Sequence, residues 1–169
     1  LLSKKCLNQL KKALKRAKKL AEEQENFLVL MNIYGLQRHL LTEFRFEARE
    51  NITLDAISIE ESDTLKKIEN VNIIYDLYCK AKLIITTNRE LNVSDDKRLE
   101  FISIFEHPLM AEEGTALSVR AKHWFHSAHH FKNIFFPGAL ADYENCKAHL
   151  ELFRSNPLFA LNRPLSYMT

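Results

Sequence analysis

The sequence predicts an all-α fold, and three observations support that prediction. Glycine and proline are scarce, at 3 and 4 of 169 residues, so the chain has few sites for tight turns. Apolar residues make up 46% of the chain, which is enough to bury a core. In one segment after another, these residues recur at the three- and four-residue spacing of a helix. A β-sandwich, which needs many turns, is therefore disfavoured.

The first two helices are predicted over residues 1–23 and 26–49. The second is apolar almost all the way round from Phe27 to Leu41, so we expect it to be packed on more than one side. The first has a basic surface between residues 4 and 19, which we interpret as a solvent-exposed face. Its other face is one apolar stripe, formed by Cys6, Leu10, Ala13, Leu14, Ala17, Leu20 and Ala21.

The rest of the chain is also predicted to be helical. Ser58 and Glu61 have the spacing of a capping box, which predicts a third helix over about 59–90. Ser94 predicts the start of a short fourth helix, which ends at Pro108 because the residue before a proline disfavours helix. The remaining predicted helices cover 112–135, 139–155 after a turn at Pro137-Gly138, and the tail from Leu158.

Composition limits the class of protein. The net charge is only +2, so no overall field favours nucleic acid as a partner. Three widely separated cysteines favour a reducing compartment, and we expect a cytoplasmic protein. Apolar runs are too short to span a bilayer, and no signal peptide follows Leu1. We expect no membrane association, and a single helical domain, 1–169, that is a piece of a longer chain.

Three segments resemble parts of tetratricopeptide repeats. Residues 141–157, ADYENCKAHLELFRSNP, are similar to the second helix of such a repeat, which Tyr143 opens and Pro157 closes. Residues 7–41 resemble the closing helix of one repeat followed by the opening helix of the next. Residues 105–125 resemble the linker and helix start found in uncharacterised bacterial proteins of this tetratricopeptide-like kind.

The resemblance implies antiparallel helical hairpins stacked into a right-handed superhelix, whose concave face binds a peptide or protein. The first helix of each pair lines the concave face in such arrays. The resemblance gives that place to the predicted helix over 112–135.

The stretch HWFHSAHHF, residues 123–131, holds four of the seven histidines. On a helix, His123, His126 and His130 share one face, and His129 lies at its edge. We interpret this imidazole face first as a packing surface against a neighbouring helix, and second as the lining of a binding groove. The opposite face is an apolar stripe of Leu117, Ala121, Trp124, Ala128 and Phe131.

A metal site is a third interpretation of the same face. His126 and His130 are one turn apart and can reach one ion, but zinc takes three or four protein ligands. The glutamate of an H-E-x-x-H motif is missing, and nothing in the sequence places His149 or Asp142 beside the pair. We therefore predict no metal ion and no cofactor.

The predicted binding residues are His123, His126, His130, Arg120, Tyr34 and Arg38. Tyr34 and Arg38 lie near one side of the second helix and would line the same groove as Arg120. The alternative places Tyr34 in the core and the arginines on the surface.

The function expected from these features is a scaffold that binds a protein or peptide partner. The alternative is a helical sensor or regulator that responds to a small ligand or a metal. Exposed ends of a repeat array would also allow a homodimer. An enzyme is not expected, because no serine lies in a nucleophile elbow and no cysteine has an obvious activating neighbour.

Overall fold

The computed structural model describes residues 4–44, 53–87, 94–136 and 139–161. Within them no strand occurs, which confirms the all-α prediction. Two 3-10 turns, Pro108–Met110 and Glu113–Thr115, precede the fifth helix. The α-helices are α1 Lys4–Glu23, α2 Phe27–Phe44, α3 Leu54–Thr87, α4 Asp95–Phe105, α5 Val119–Phe135, α6 Ala139–Ser155 and α7 Pro157–Leu161.

Several predicted segments lie outside the described residues. These are residues 1–3, 45–49 and 88–90 of the predicted helices and the turn at Pro137-Gly138. None of the helices in the described ranges is long and apolar enough to cross a bilayer.

The chain divides into two compact units, Leu1–Ile68 and Glu69–Thr169. The first unit holds the α1–α2 hairpin and the beginning of α3. Its core is apolar and draws on all three helices, through Ala21, Leu30, Ile33, Tyr34, Leu41 and Ile57. The predicted stripe on α1 is buried only in part, because Ala13, Ala17 and Leu20 are exposed while Ala21 is buried.

The side of α2 that points away from this core corrects one expectation. A helix that is apolar all round was expected to be packed on more than one side, but Leu28, Val29 and Leu36 are exposed. Among the described residues, α2 is therefore covered on its core side alone, where Leu30 and Ile33 are buried.

The turn between α1 and α2 is a Schellman motif. The Asn26 N–H donates to the Ala21 carbonyl at 2.8 Å, and the Glu25 N–H donates to the Glu22 carbonyl at 3.1 Å. This motif puts Glu25 in the left-handed region, with φ of 49°, where glycine is the usual residue. Asn26 then caps α2, because its Oδ1 accepts from the Val29 N–H at 3.2 Å.

The second unit holds the rest of α3 and the helices α4 to α7. Trp124 of α5 contacts the rings of Tyr75 and Tyr78 of α3, each with ring centroids 4.7 Å from its own. The core of this unit includes Ile74, Leu77, Ala81, Ile84, Phe101, Ile104, Met110, Ala121, Phe125, Ala128 and Phe159.

Two predicted helix starts are wrong. The α3 helix begins at Leu54, and its cap is Thr53, whose Oγ1 accepts from the Ala56 N–H at 3.1 Å. Ser58 therefore lies inside the helix and forms no capping box. The fifth helix begins at Val119 instead of residue 112, because the two 3-10 turns occupy the preceding segment.

Asn70 explains why the segment before α5 is not helical. Its side-chain amide donates to the Thr115 carbonyl at 3.0 Å, and its Oδ1 accepts from the Leu117 N–H at 2.9 Å. Asn70 is buried, so these two backbone groups are satisfied by α3 and not by a helix of their own. Leu117, which was predicted in the apolar stripe of α5, lies before the helix and is exposed.

Replacing Glu25 tests the strain in the α1–α2 turn. We expect Glu25→Gly to be about 1 kcal/mol more stable than Glu25→Ala, because a left-handed backbone costs a Cβ-bearing residue roughly this much. Alanine is the matched control because it removes the same carboxylate but keeps the Cβ. Denaturant unfolding of both variants measures the difference, and equal stabilities would contradict the assignment.

Candidate functional site

The imidazole face of α5 lies against α6. Ser118 caps α5, since its Oγ accepts from the Ala121 N–H at 3.1 Å, and the cap sets where the helix begins. His123 Nδ1 lies 2.7 Å from His149 Nε2, and His126 Nδ1 lies 2.9 Å from Asn145 Oδ1. At the end nearer the C-terminus of α5, the third pair is His130 Nδ1 and Asp142 Oδ1, at 3.2 Å. We call these three contacts the polar ladder.

The spacing of the polar ladder shows that α5 and α6 run antiparallel. On α5 its residues are three and then four positions apart, at 123, 126 and 130. Their partners on α6 are 149, 145 and 142, so the residue numbers fall along α6 as they rise along α5, again in steps of three and four. Residues three and four apart share one face of a helix, so a single face of each supplies all three contacts. The preferred interpretation of this face, as packing between helices, agrees with the structure.

Asn145 contacts both the ring and the backbone of His126. The Asn145 amide donates to the His126 carbonyl at 3.0 Å, which leaves Asn145 Oδ1 to accept from the His126 Nδ1–H. Only 3% of His126 is exposed, and its Nε2 lies 3.6 Å from Glu113 Oε2. This ring is part of the packed interior and is not displayed to a partner.

His123 is equally enclosed. Its ring contacts those of Trp124, Phe153 and Phe159 at centroid distances of 4.7, 5.5 and 6.2 Å. In the contact between His123 Nδ1 and His149 Nε2, one nitrogen carries the proton and donates it, and the other nitrogen accepts.

His129 points away from the polar ladder, as its place at the edge of the face predicts. Its Nε2–H donates to the Met110 carbonyl at 3.1 Å, and its ring contacts those of Phe125 and Phe105 at centroid distances of 4.3 and 5.3 Å. Burial lowers the pKa of His129 from 6.5 to about 4. The nearby Lys132 and His126 lower the pKa further, while the hydrogen bond to Met110 opposes the change.

The exposed end of the polar ladder carries a third group. Cys146 lies one turn beyond Asp142 on α6, and its thiol donates to Asp142 Oδ1 at 3.9 Å. The ligand atoms of His130, Asp142 and Cys146 all lie within 4.8 Å of one another. Desolvation of the sulfur and the negative charge of Asp142 raise the pKa of the Cys146 thiol, which is the opposite of what activates a nucleophile.

The structure brings together a different ligand set from the one considered in the sequence. The pair His126 and His130 was expected to share an ion if any did, but His126 is committed to Asn145. Asp142 does reach His130, while His149 pairs with His123 at the other end. Sequence reasoning missed Cys146 and Asn145, although the reversed spacing of polar residues on α6 could have indicated them.

The other predicted binding residues lie in different surroundings. Tyr34 is 3% exposed, and its hydroxyl lies 3.2 Å from Thr64 Oγ1, so it is a core residue. Arg38 forms an ion pair with Glu61. Arg120 is exposed in the first turn of α5. Since Tyr34 and Arg38 belong to the first unit and Arg120 to the second, a groove shared by them stays a prediction.

Comparison with protein-family models, curated protein sequences and solved structures finds no match to this chain. The resemblance to tetratricopeptide repeats therefore stays a prediction, and the conclusions that follow rest on the geometry.

Removing a partner from the polar ladder tests its packing role. We expect Asn145→Leu to lower the free energy of unfolding by about 1–3 kcal/mol, because the buried His126 Nδ1–H loses its acceptor. His130→Gln, at the half-exposed end, should change it by no more than about 0.5 kcal/mol. Chemical denaturation of the two variants provides the comparison. Equal losses in the free energy of unfolding for Asn145→Leu and His130→Gln would contradict the expectation that the buried contact contributes more than the half-exposed one.

Protonation of His129 should make the fold sensitive to acid. Because its pKa is lower in the folded chain than in the unfolded chain, the unfolded state takes up more protons between pH 6.5 and about 4. The stabilisation is thus complete above pH 6.5 and is lost as the pH falls through this window.

His129→Gln is the control for this effect, because glutamine can donate to the Met110 carbonyl but does not titrate in this range. We expect the stability of the native chain to fall relative to that of His129→Gln between pH 6.5 and 4. Thermal unfolding at a series of pH values measures both proteins. A difference that does not change with pH would refute the assignment of a neutral His129.

Proposed function

We propose that this chain is a tetratricopeptide-like interaction module that binds an apolar segment of a partner protein on the outer face of α2. The observation that carries the proposal is the exposure of large apolar side chains on that face. Leu28 is 74% exposed, and Val29 and Leu36 are 38% and 39% exposed. We call these three residues the α2 apolar face.

The spacing of the α2 apolar face suits a continuous contact. Residues 28, 29 and 36 fall within about 100° of one another on a helix and on the side opposite Leu30 and Leu41. The polar Asn32 lies between them on the same exposed side, and the small residue Gly35 lies at the edge of that side, next to Leu28. An added Cβ at Gly35 would meet nothing within 4 Å, so an approaching chain has room there.

Energetics favour a partner for this face. Burying a leucine side chain completely is worth roughly 1.5–3 kcal/mol. Leu28, at 74% exposed, together with Val29 and Leu36, at 38% and 39%, therefore offers roughly 2–4 kcal/mol to a partner. Val29 and Leu36 are seven residues apart, a spacing at which amphipathic helices place anchors in a partner's groove. The basic surface of α1 in the same unit, with Lys12, Lys15 and Arg16 exposed, would favour acidic residues beside the apolar segment.

The contacts of the polar ladder also bear on this choice. One ring nitrogen each of His123 and His126 contacts α6, and Tyr34 and Arg38 contact α3. A partner would have to displace these contacts in order to use these four of the residues first predicted to bind. The α2 apolar face requires no such displacement.

Photocrosslinking inside the native cell tests this proposal. A photoreactive phenylalanine derivative at Leu36 should form a covalent adduct with one defined protein, while the same group at the exposed Ser62 of α3 should not. Adding Leu28→Ser should reduce the yield of the Leu36 adduct, because part of the apolar contact is lost. An adduct of twice the mass of the chain would instead show a homodimer, and equal labelling at Ser62 would refute the proposal.

A matched stability measurement keeps this test interpretable. Leu28→Ser should change the free energy of unfolding by no more than about 0.5 kcal/mol, because the side chain is already in water. Leu30→Ser, two positions along and 4% exposed, should cost several kcal/mol. If Leu28→Ser unfolded the chain, the α2 apolar face would be part of the core and the proposal would fail.

A further inference from the structure

We infer that His130, Asp142 and Cys146 form a binding site for a divalent transition metal, best suited to Zn²⁺, at the exposed end of the polar ladder. The three side chains offer one nitrogen, one carboxylate oxygen and one sulfur. Imidazole, carboxylate and thiolate are the ligands that Zn²⁺ takes in proteins.

The distances fit a tetrahedral ion. With metal–ligand bonds of about 2.0–2.3 Å, neighbouring ligand atoms of a tetrahedral zinc site lie roughly 3.3–3.6 Å apart. His130 Nδ1 lies 3.2 Å from Asp142 Oδ1, and Cys146 Sγ lies 3.9 Å from the same oxygen. The ligand atoms of His130 and Cys146 lie within 4.8 Å of each other, so these two side chains would have to approach by about 1 Å. Rotation of side chains that are half-exposed or exposed allows such a shift.

The backbone holds these residues in place before any ion arrives. Asp142 and Cys146 are four residues apart on α6, so they lie one turn apart on one face. His130 comes from α5, and the buried contacts of His123 and His126 fix the register of that helix against α6. An ion would therefore bind a site that is largely preformed, and it would join the two helices of the hairpin.

Asn133 adds a supporting contact of the kind found around metal ligands. Its side-chain amide lies 3.5 Å from Asp142 Oδ1, so three different side chains converge on this carboxylate. Such outer contacts orient the first ligands of metal sites. A simple surface ion pair would involve only His130 and Asp142, whereas here Cys146 and Asn133 also contact the carboxylate.

The three ligand side chains are accessible to solvent. The side chains of His130 and Asp142 are 46% and 42% exposed, and Cys146 is exposed, so an ion can enter from solvent. Three protein ligands leave a fourth position to water, as in an open zinc site. Binding should thus be reversible and should stabilise the hairpin by favouring the folded state.

Titration of the full chain with Co²⁺, a spectroscopic substitute for Zn²⁺, tests the inference. One equivalent should produce the visible absorption of a tetrahedral Co²⁺ ion and a near-ultraviolet charge-transfer band from a thiolate sulfur, and Zn²⁺ should displace both. Cys146→Ser should abolish the charge-transfer band. His130→Ala and Asp142→Asn should each weaken binding at least tenfold.

Two control variants separate the site from adventitious binding. Cys6→Ser removes another exposed thiol, and His129→Gln removes the neighbouring imidazole, and both should bind Co²⁺ as the native chain does. Zn²⁺ should raise the melting temperature of the native chain but not that of Cys146→Ser. A charge-transfer band that persists in Cys146→Ser, or binding that none of the three substitutions weakens, would show an adventitious ion only and overturn the inference.

Discussion

His123 and His126 each bury an imidazole in the second unit, and one nitrogen of each ring finds a hydrogen-bond partner there, as most buried polar groups do. The α6 helix supplies both partners, His149 and Asn145. Sliding α6 by one turn would separate both pairs at once, at a cost of about 1–3 kcal/mol for each buried group left unpaired. Apolar contacts alone are less exacting, since methyl and phenyl groups tolerate several registers. The two buried contacts thus determine which residues of α6 face which residues of α5.

The position of the third pair follows from that register. Once His123 and His126 are placed, the reversed spacing on α6 puts Asp142 opposite His130. Cys146 then lies one turn from Asp142, on the side toward Asn145. Burial decreases along the polar ladder, from the enclosed His126 to the half-exposed His130. The same kind of contact therefore stabilises the interior at one end and leaves ionisable groups accessible to solvent at the other. A binding site can form at the His130–Asp142 end because the buried contacts of His123 and His126 already hold α5 against α6.

Local features of the fold could be predicted from the sequence, and long-range ones could not. The helix over 139–155 has the predicted bounds, and its end depends on Pro157, which is only two residues away. The start of α5 was predicted seven residues too early, because Asn70, some 45 residues away, satisfies the backbone of the preceding segment. The Ser58 cap was wrong because Thr53, equally suited to capping, comes first. Spacing identified the imidazole face, but only the pairing of α5 with α6 shows what it contacts.

The two units use apolar residues on their hairpins in different ways. In the second unit, α5 has an apolar face with Ala121 and Ala128 buried and a polar face satisfied by α6. In the first unit, α2 is apolar on both sides, but within the described residues only the side with Leu30, Ile33 and Tyr34 is buried. The free energy of unfolding gains little from leucines that stay in water, so folding of this unit does not account for the residues on its outer side. An apolar face beside a basic helix is a reason to expect a partner at α2, whereas the histidines of α5 are already occupied.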